Sequence, residues 1–301
     1  MDGALAIGQL IIAAGFAVYC ALAALCLYFA LKRPKTAKQR VGYTAIVVAV
    51  FGFLPGKVAF ENWQDAQYRK TAFARFEKLC NEKAGEKIHK VIGNVEAVFL
   101  EKPRSRASEV ELRDQFWLGD PYGYSLAEAL NPAGAFLHDR VESTGDTKFS
   151  AIKGYKYVEM PNPAYREGSD SKPYIRYRLE WRDVPNERIG KPERKLVPVG
   201  EPVGELRSRY AVTWADISTL EERQYWIAGG ALTIYDLKDK TIVGERIGYV
   251  MDPGAGNTSG GRQIWPNSIY CPRFENHLHR NKEFVAKVLK AVAMEETTYG
   301  K

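Results

Sequence analysis

Residues 4–31 read ALAIGQLIIAAGFAVYCALAALCLYFAL, residues 32–40 read KRPKTAKQR, and residues 41–54 read VGYTAIVVAVFGFL. The first stretch holds no charge and exceeds the roughly 20 apolar residues a helix needs to cross the hydrocarbon of a bilayer. The last is short alone but reaches that length by continuing through Pro55-Gly56-Lys57 to Phe60, with Lys57 extending its ammonium to the interface. The pair predicts a transmembrane hairpin over residues 1–60.

The connector carries Lys32, Arg33, Lys35, Lys38 and Arg40 and no acid, whereas only Asp2 precedes the first span. By the positive-inside rule the connector faces the cytoplasm. Both termini, and everything from about residue 61, are then expected outside a bacterial-type inner membrane, in the periplasm. A cleaved secretory signal is the alternative, disfavoured by the acidic MDG start and by an apolar run longer than a signal requires.

Small residues recur at helical spacing, Ala13, Ala17 and Ala21 in one span and Gly42, Ala45, Ala49 and Gly52 in the other. Such stripes allow close helix packing in lipid, within the hairpin or against another subunit. They also match the ordinary Gly enrichment of membrane helices. No Asp, Glu, Lys, Arg or His lies in residues 4–54 outside the connector, which disfavours ion or proton transport.

The formal charge of +7 invites a nucleic-acid reading until it is partitioned. Six of the 43 basic and one of the 36 acidic residues belong to the first 60, leaving 37 against 35 in the rest. A near-neutral remainder is poor support for a phosphate-binding surface, so no nucleic-acid partner is expected. The basic balance is a topology signal. Of four cysteines, Cys20 and Cys26 lie in the first span, and Cys80 and Cys271 are the pair beyond it. In an oxidising compartment they form one disulfide, closing a loop worth roughly 4 to 5 kcal/mol on the loop-entropy model. Two unrelated buried thiols are the alternative.

Residues 61–85 predict an amphipathic stalk helix with Ala72, Phe73, Phe76, Leu79 and Cys80 on one face. The remainder, 86–301, predicts an α+β domain on a mostly antiparallel sheet. KIHKVI and VEAVFLEK flank Gly93-Asn94, the chemistry of a tight hairpin turn. GYKYVEM, YIRYRLEWR and RYAVTW read as strands, and in YIRYRLEWR the residues Ile175, Tyr177, Leu179 and Trp181, on a core face, alternate with Arg176, Arg178, Glu180 and Arg182, on a face that meets solvent or a partner. The Pro- and charge-rich Val184–Pro202 reads as a solvated loop. Ser218 to Glu221 has capping-box spacing for a short helix. YWIAGGALTIYDL and TIVGERIGYVMD form a second hairpin around Lys238-Asp239-Lys240. NKEFVAKVLKAVAM predicts a terminal helix with an apolar stripe. SLAEALN in the irregular stretch 102–148 reads as a short helix, and that stretch carries no functional signal.

The glycine-rich run from Pro253 offers Gly254, Gly256, Asn257, Gly260, Gly261, Arg262 and Trp265 as a surface loop or a partner- or ligand-contacting one. It fails as a phosphate cradle, because Arg262 stands where Lys followed by Ser or Thr is required. Asn257-Thr258-Ser259 is a glycosylation acceptor only in a eukaryotic secretory pathway. Glu275, His277 and His279 alternate in a metal-like way, but a helix would splay them and no further ligand is evident, so no metal site is expected. The histidines are His89, His138, His277 and His279, and no nucleophile-elbow or Cys/His signature accompanies them. No motif points to a cofactor. Tryptophan–arginine groupings, such as Trp181 among Arg176, Arg178 and Arg182 or Arg262 with Trp265, belong to the residue types enriched at protein interfaces. The expectation is a non-catalytic binding or adaptor subunit of an envelope complex of the secretion, pilus or exclusion type, its partners being the bilayer and other envelope proteins or itself. An envelope hydrolase acting on cell-wall or lipid material is the alternative.

Overall fold

A computed structural model describes residues 2–137, 154–186, 190–275 and 279–292. Backbone contacts divide the chain into an N-terminal unit ending at Lys70 and a C-terminal unit beginning at Thr71.

Two long apolar helices lead, α1 (Asp2–Lys32) and α2 (Ala37–Glu82). Within the N-terminal unit they meet through Tyr19, Ala23, Cys26, Leu27 and Ala30 of α1 and Thr44, Val47 and Phe51 of α2, the positions shielded from the surroundings. The Tyr19 and Phe51 rings lie 5.5 Å apart at similar distances from the connector, as an antiparallel pair requires. The seven small residues at positions 13, 17, 21, 42, 45, 49 and 52 are all exposed instead. A Cβ added at Gly42 or Gly52 would meet nothing within 4 Å. The intrachain seam thus runs through Tyr19, Phe51 and their shielded neighbours, and the Ala/Gly stripes face outward.

Pro55 lies inside α2. A helical proline has no N–H for the carbonyl four residues back, which here is that of Phe51. The Tyr19 hydroxyl donates to this same Phe51 carbonyl. The acceptor that the proline strips of its partner is therefore satisfied across the helix pair. Tyr19→Phe is expected to weaken helix pairing by about 1 kcal/mol, the scale of an interhelical hydrogen bond in lipid. In a Pro55→Ala background, where the restored backbone N–H reclaims the carbonyl, the same change should cost almost nothing. A double-mutant cycle on detergent-solubilised protein reads this; equal losses in both backgrounds would refute the pairing.

The C-terminal unit contains the last turns of α2 and then β1 (Gly85–Ile88), β2 (Ile92–Val95) and β3 (Ala97–Leu100). Two short helices follow, α3 (Leu126–Leu130) and α4 (Pro132–Leu137), then β4 (Tyr157–Pro161), β5 (Tyr174–Asn186), β6 (Lys191–Val203) and β7 (Tyr210–Asp216). After α5 (Leu220–Gln224) come β8 (Ile227–Asp236), β9 (Ile242–Met251), β10 (Ile269–Cys271), α6 (Arg280–Val288) and β11 (Leu289–Ala291). The main sheet runs β1-β9-β8-β7-β3-β4-β5-β6, with β10 also on β9. β3 is parallel to β4 and β7, and every other pairing in this sheet is antiparallel. The fold is α+β on a large, mostly antiparallel sheet.

Strand alternation puts successive side chains on opposite faces. Ile227, Tyr249 and Met251 receive Ala72 and Phe76 from the end of α2, and Leu79 and Cys80 pack beside them. Phe73, expected on the same stripe, stays 38% exposed. On the other face, Leu232 and Ile234 pack with Phe136 of α4 and Phe284 and Val288 of α6. Further along that face, Ala228 and Val250 meet an aromatic layer containing Trp117, Tyr122, Tyr124 and Trp265. The Cys80–Cys271 disulfide fastens α2 to β10, with Cα atoms 5.8 Å apart.

Several sequence expectations need correction. Gly93-Asn94 does not turn a hairpin: both lie inside β2, which pairs in parallel with β11, while β1 pairs with β9. A two-residue type I′ turn needs positive φ at both central positions, and of the two only Asn94 has it, at 56°. The terminal helix stops at Val288, because Leu289–Ala291 is taken up as that parallel strand. The capping box is Thr219 with Glu222, one residue later than expected, and Glu221 instead pairs with Arg75 at 2.5 Å. Arg176, expected on a solvated face, is buried opposite Glu159.

The charged segment read as a loop is largely strand β6, paired with β5 from Tyr174↔Val203 to Asn186↔Lys191. Its Pro192, Pro198 and Pro202 share one parity, and β6 is the last strand of the sheet. At the positions of an edge strand whose N–H points outward, a proline forfeits no ladder bond. The composition that signals a loop is here the composition of a protected sheet edge.

Candidate functional site

The chain between β3 and α3 passes twice over the aromatic layer and, with the segment after β9, walls a cleft of about 510 Å³. Its lining comes from residues 106–112, 121–127 and 263–266 and from Arg280 at the start of α6. The volume falls in the range typical of small-ligand pockets.

Local hydrogen bonds set each wall. A 3-10 turn over Glu111–Arg113 is closed by a reciprocal pair: Glu111 Oε2 accepts from Ser108 N and Oγ, both at 2.8 Å, and Ser108 Oγ accepts from Glu111 N at 3.2 Å. These bonds from Ser108 hold the Glu111 carboxyl below its ordinary range. The Tyr124 hydroxyl accepts from Ala107 N at 3.3 Å, and its ring meets Trp117 edge-on at 5.3 Å. Trp265 donates its indole N–H to Asp114 O at 2.8 Å, and Ile264 N donates to Leu112 O at 3.2 Å. The floor is therefore fixed from both sides.

Two close approaches position this layer on the sheet. A side chain at Gly248 would sit about 2.0 Å from the Tyr122 ring, and one at Gly230 2.0 Å from Asp120 Oδ1. Only glycine leaves room for these groups to lie directly on the strands. Asp120 is buried at positive φ, pairs with Arg104 and accepts from Gly123 N at 3.0 Å. Burial pushes its carboxyl above the ordinary range, against the pull of Arg104, and the like charge of Asp216 adds to the rise. Arg223 neutralises Asp216 in turn and lies 5.3 Å from the Trp265 ring.

The cations at the cleft differ from these buried pairs. Arg280 donates Nη1–H to Tyr122 O at 3.2 Å and stacks 5.3 and 5.2 Å from the Tyr270 and Phe274 rings, while its Nε is buried without an acceptor. Burial lowers its pKa, and the fields of Glu128, Tyr122 and Asp120 offset this only in part. Among the described residues neither Arg280 nor the exposed Arg106 has a carboxylate partner. The two acids of the lining are already engaged, Glu111 by Ser108 and Glu109 by Arg113 at 3.6 Å. The arrangement is an apolar and aromatic cleft with two guanidiniums that form no ion pair among the described residues.

Of the glycine-rich candidates only Trp265 lines this cleft, joined by Gln263 and Pro266. The loop is organised inwardly. Asp252, buried at the end of β9, accepts from Gly254 N at 3.0 Å and Gly256 N at 2.7 Å and pairs with Arg262. Arg262 also donates to Asn257 O at 3.2 Å, so its guanidinium is committed within the loop. Asn257 accepts from Ser259 N at 2.8 Å, and Gly260 and Gly261 turn the chain at φ 70° and 76°. His138 and His277 lie outside the described residues; His89 is exposed and away from the cleft, and His279 precedes α6. The basic connector, with Lys32, Arg33, Lys35, Lys38 and Arg40, belongs to the N-terminal unit. Sequence reading missed Arg106, Ser108, Glu111, Tyr124 and Arg280; Ser108 and Glu111 carry the S-x-x-E spacing of a capping box, but the others are brought to them only by the fold.

Comparison of the chain with family models, with curated proteins and with solved structures gave no match.

Proposed function

We propose that this chain is a membrane-anchored, non-catalytic binding or adaptor subunit of a cell-envelope complex. α1 and α2 cross a bacterial inner membrane as a hairpin, the five-cation connector lies in the cytoplasm, and both termini with the α+β unit lie in the periplasm. The observation that carries this reading is the Cys80–Cys271 bridge, which fastens the end of the second of two long apolar helices to β10. Structural disulfides persist in oxidising compartments and are rare in the cytosol. The charge asymmetry of the connector agrees with that side. At the cleft the charged groups are guanidiniums and engaged glutamates, a set suited to holding a ligand; hydrolysis of cell-wall material would call for an activated acid–base pair there. The bilayer and neighbouring envelope proteins or a second copy are its partners.

Cysteine labelling tests location and bridge together. In intact cells a membrane-impermeant maleimide should label Cys80 and Cys271 only after reduction. A reporter fused after Lys301 should be active only as a periplasmic enzyme. Cytosolic reporter activity, or labelling of both cysteines without reductant, would overturn the reading.

A further inference from the structure

We propose that the cleft walled by residues 106–112, 121–127 and 263–266 is a binding site for a small carboxylate carried on an apolar or aromatic stem, with Arg280 and Arg106 as its anion-recognising groups. This rests on reading the chain as a binding module, but not on which side of a membrane it occupies.

Elsewhere around the aromatic layer guanidinium groups meet carboxylates: Arg104 with Asp120, Arg223 with Asp216, Arg262 with Asp252, and Arg246 with Glu86 at 3.4 Å. Arg280 breaks the pattern, with one carbonyl and two ring faces around it and no carboxylate paired to it among the described residues; its Nε, like those of Arg104 and Arg223, is buried without an acceptor. A largely desolvated cation without a counterion is costly, and buried donors are almost always paired. An oxyanion arriving in the cleft supplies the missing charge to a guanidinium already stacked and immobilised, so little side-chain entropy is lost on binding. Arg106 at the rim adds a second, exposed cation.

The stem is read from the remaining walls. Ala107, Leu112, Pro121 and Pro266 with the Tyr124 and Trp265 rings give the cleft an apolar and aromatic surface. A bare inorganic anion would leave that surface wet, and a neutral apolar molecule would leave the guanidiniums uncompensated. Planar carboxylate matches the guanidinium fork, so it is the head group assigned here.

The test is calorimetric titration of the full-length protein in a neutral detergent with four probes at pH 7: 3-phenylpropanoate, 3-phenylpropanamide, acetate and phenyl phosphate. 3-Phenylpropanoate should bind, with the amide and acetate at least tenfold weaker and the affinity falling with added salt. Arg280→Gln should weaken binding about tenfold or more, on the scale of one charged hydrogen bond. Arg106→Gln, at an exposed position, should weaken it severalfold while leaving the thermal midpoint at the parent value. That second variant keeps the proposal testable if Arg280→Gln does not fold. Equal binding of acid and amide, unchanged affinity in Arg106→Gln, or no heat from any probe would overturn it. Phenyl phosphate binding in the absence of 3-phenylpropanoate binding would overturn the carboxylate assignment in favour of a phosphoryl group. Because the titration is done in solution, a failed topology experiment and a failed titration are separate results.

Discussion

Replacing both Cys80 and Cys271 with serine should lower the thermal midpoint of the C-terminal unit by roughly 10 to 15 °C. The bridge closes a separation of 191 residues, and loop-closure entropy for a crosslink of that span amounts to about 4 to 5 kcal/mol. For a unit of this size each kcal/mol moves the midpoint by about 2 to 4 °C. The bridge ties the last turns of α2 to β10, and it lies beside Ala72, Phe76, Tyr249 and Met251. Without it that helix end is held by apolar contact and by the Arg75–Glu221 pair, whose two side chains are substantially exposed. Exposed pairs contribute at most about 1 kcal/mol. Proteolysis near residue 83 should therefore speed up in the double-serine variant before the sheet itself unfolds. Scanning calorimetry with and without reductant gives the measurement; a midpoint unmoved by reduction would show that the bridge adds nothing to the loop it closes.

Glu159→Gln is expected to cost about 3 to 5 kcal/mol, the usual loss when one partner of a buried ion pair is removed. Glu159 is fully buried on β4 and meets Arg176 Nε at 2.7 Å across the β4–β5 pair. Its carboxylate also accepts from Arg207 N at 3.0 Å, Ser208 N at 2.8 Å and Ser208 Oγ at 2.6 Å. Burial is the largest single influence and pushes the carboxyl up, but the bonds from Ser208, Arg207 and Arg176 together hold it below the ordinary range. The sign follows: stability from the ionised group is fully present above the unfolded-state value of about 4.3 and is lost as pH falls through the lower folded value. Urea melts from pH 7 down to pH 3 should show an acid-labile component in the parent that is reduced in Glu159→Gln. Because three donors besides Arg176 end on this carboxylate, exchanging the pair for Leu and Met should not restore stability. Full recovery in that double variant would mean that the ion pair alone matters.

Sequence legibility followed the range of the interactions. The apolar helices, the stalk face apart from Phe73 and the β8–β9 hairpin are written in local periodicity and turn chemistry. The disulfide was accessible by counting, since only Cys80 and Cys271 lie beyond the first helix. By contrast, Arg176 looks like a solvated charge until β4 brings Glu159 opposite it, a pairing that local periodicity does not register. β6 was unreadable because prolines and charges depress strand propensity wherever they fall, while their cost in a sheet depends on which way the N–H points. The cleft is the least legible feature: Arg106, Tyr124, Trp265 and Arg280 come from remote segments, and the glycine-rich run chiefly encloses Asp252.

The prolines of β6 also limit how copies of this chain can join. A molecule laying an extended segment alongside positions 192, 198 and 202 encounters carbonyls but a gapped row of donors, and templated fibril growth depends on an unbroken row. This edge should therefore not seed strand-to-strand joining of copies, leaving recognition along it to side-chain surfaces.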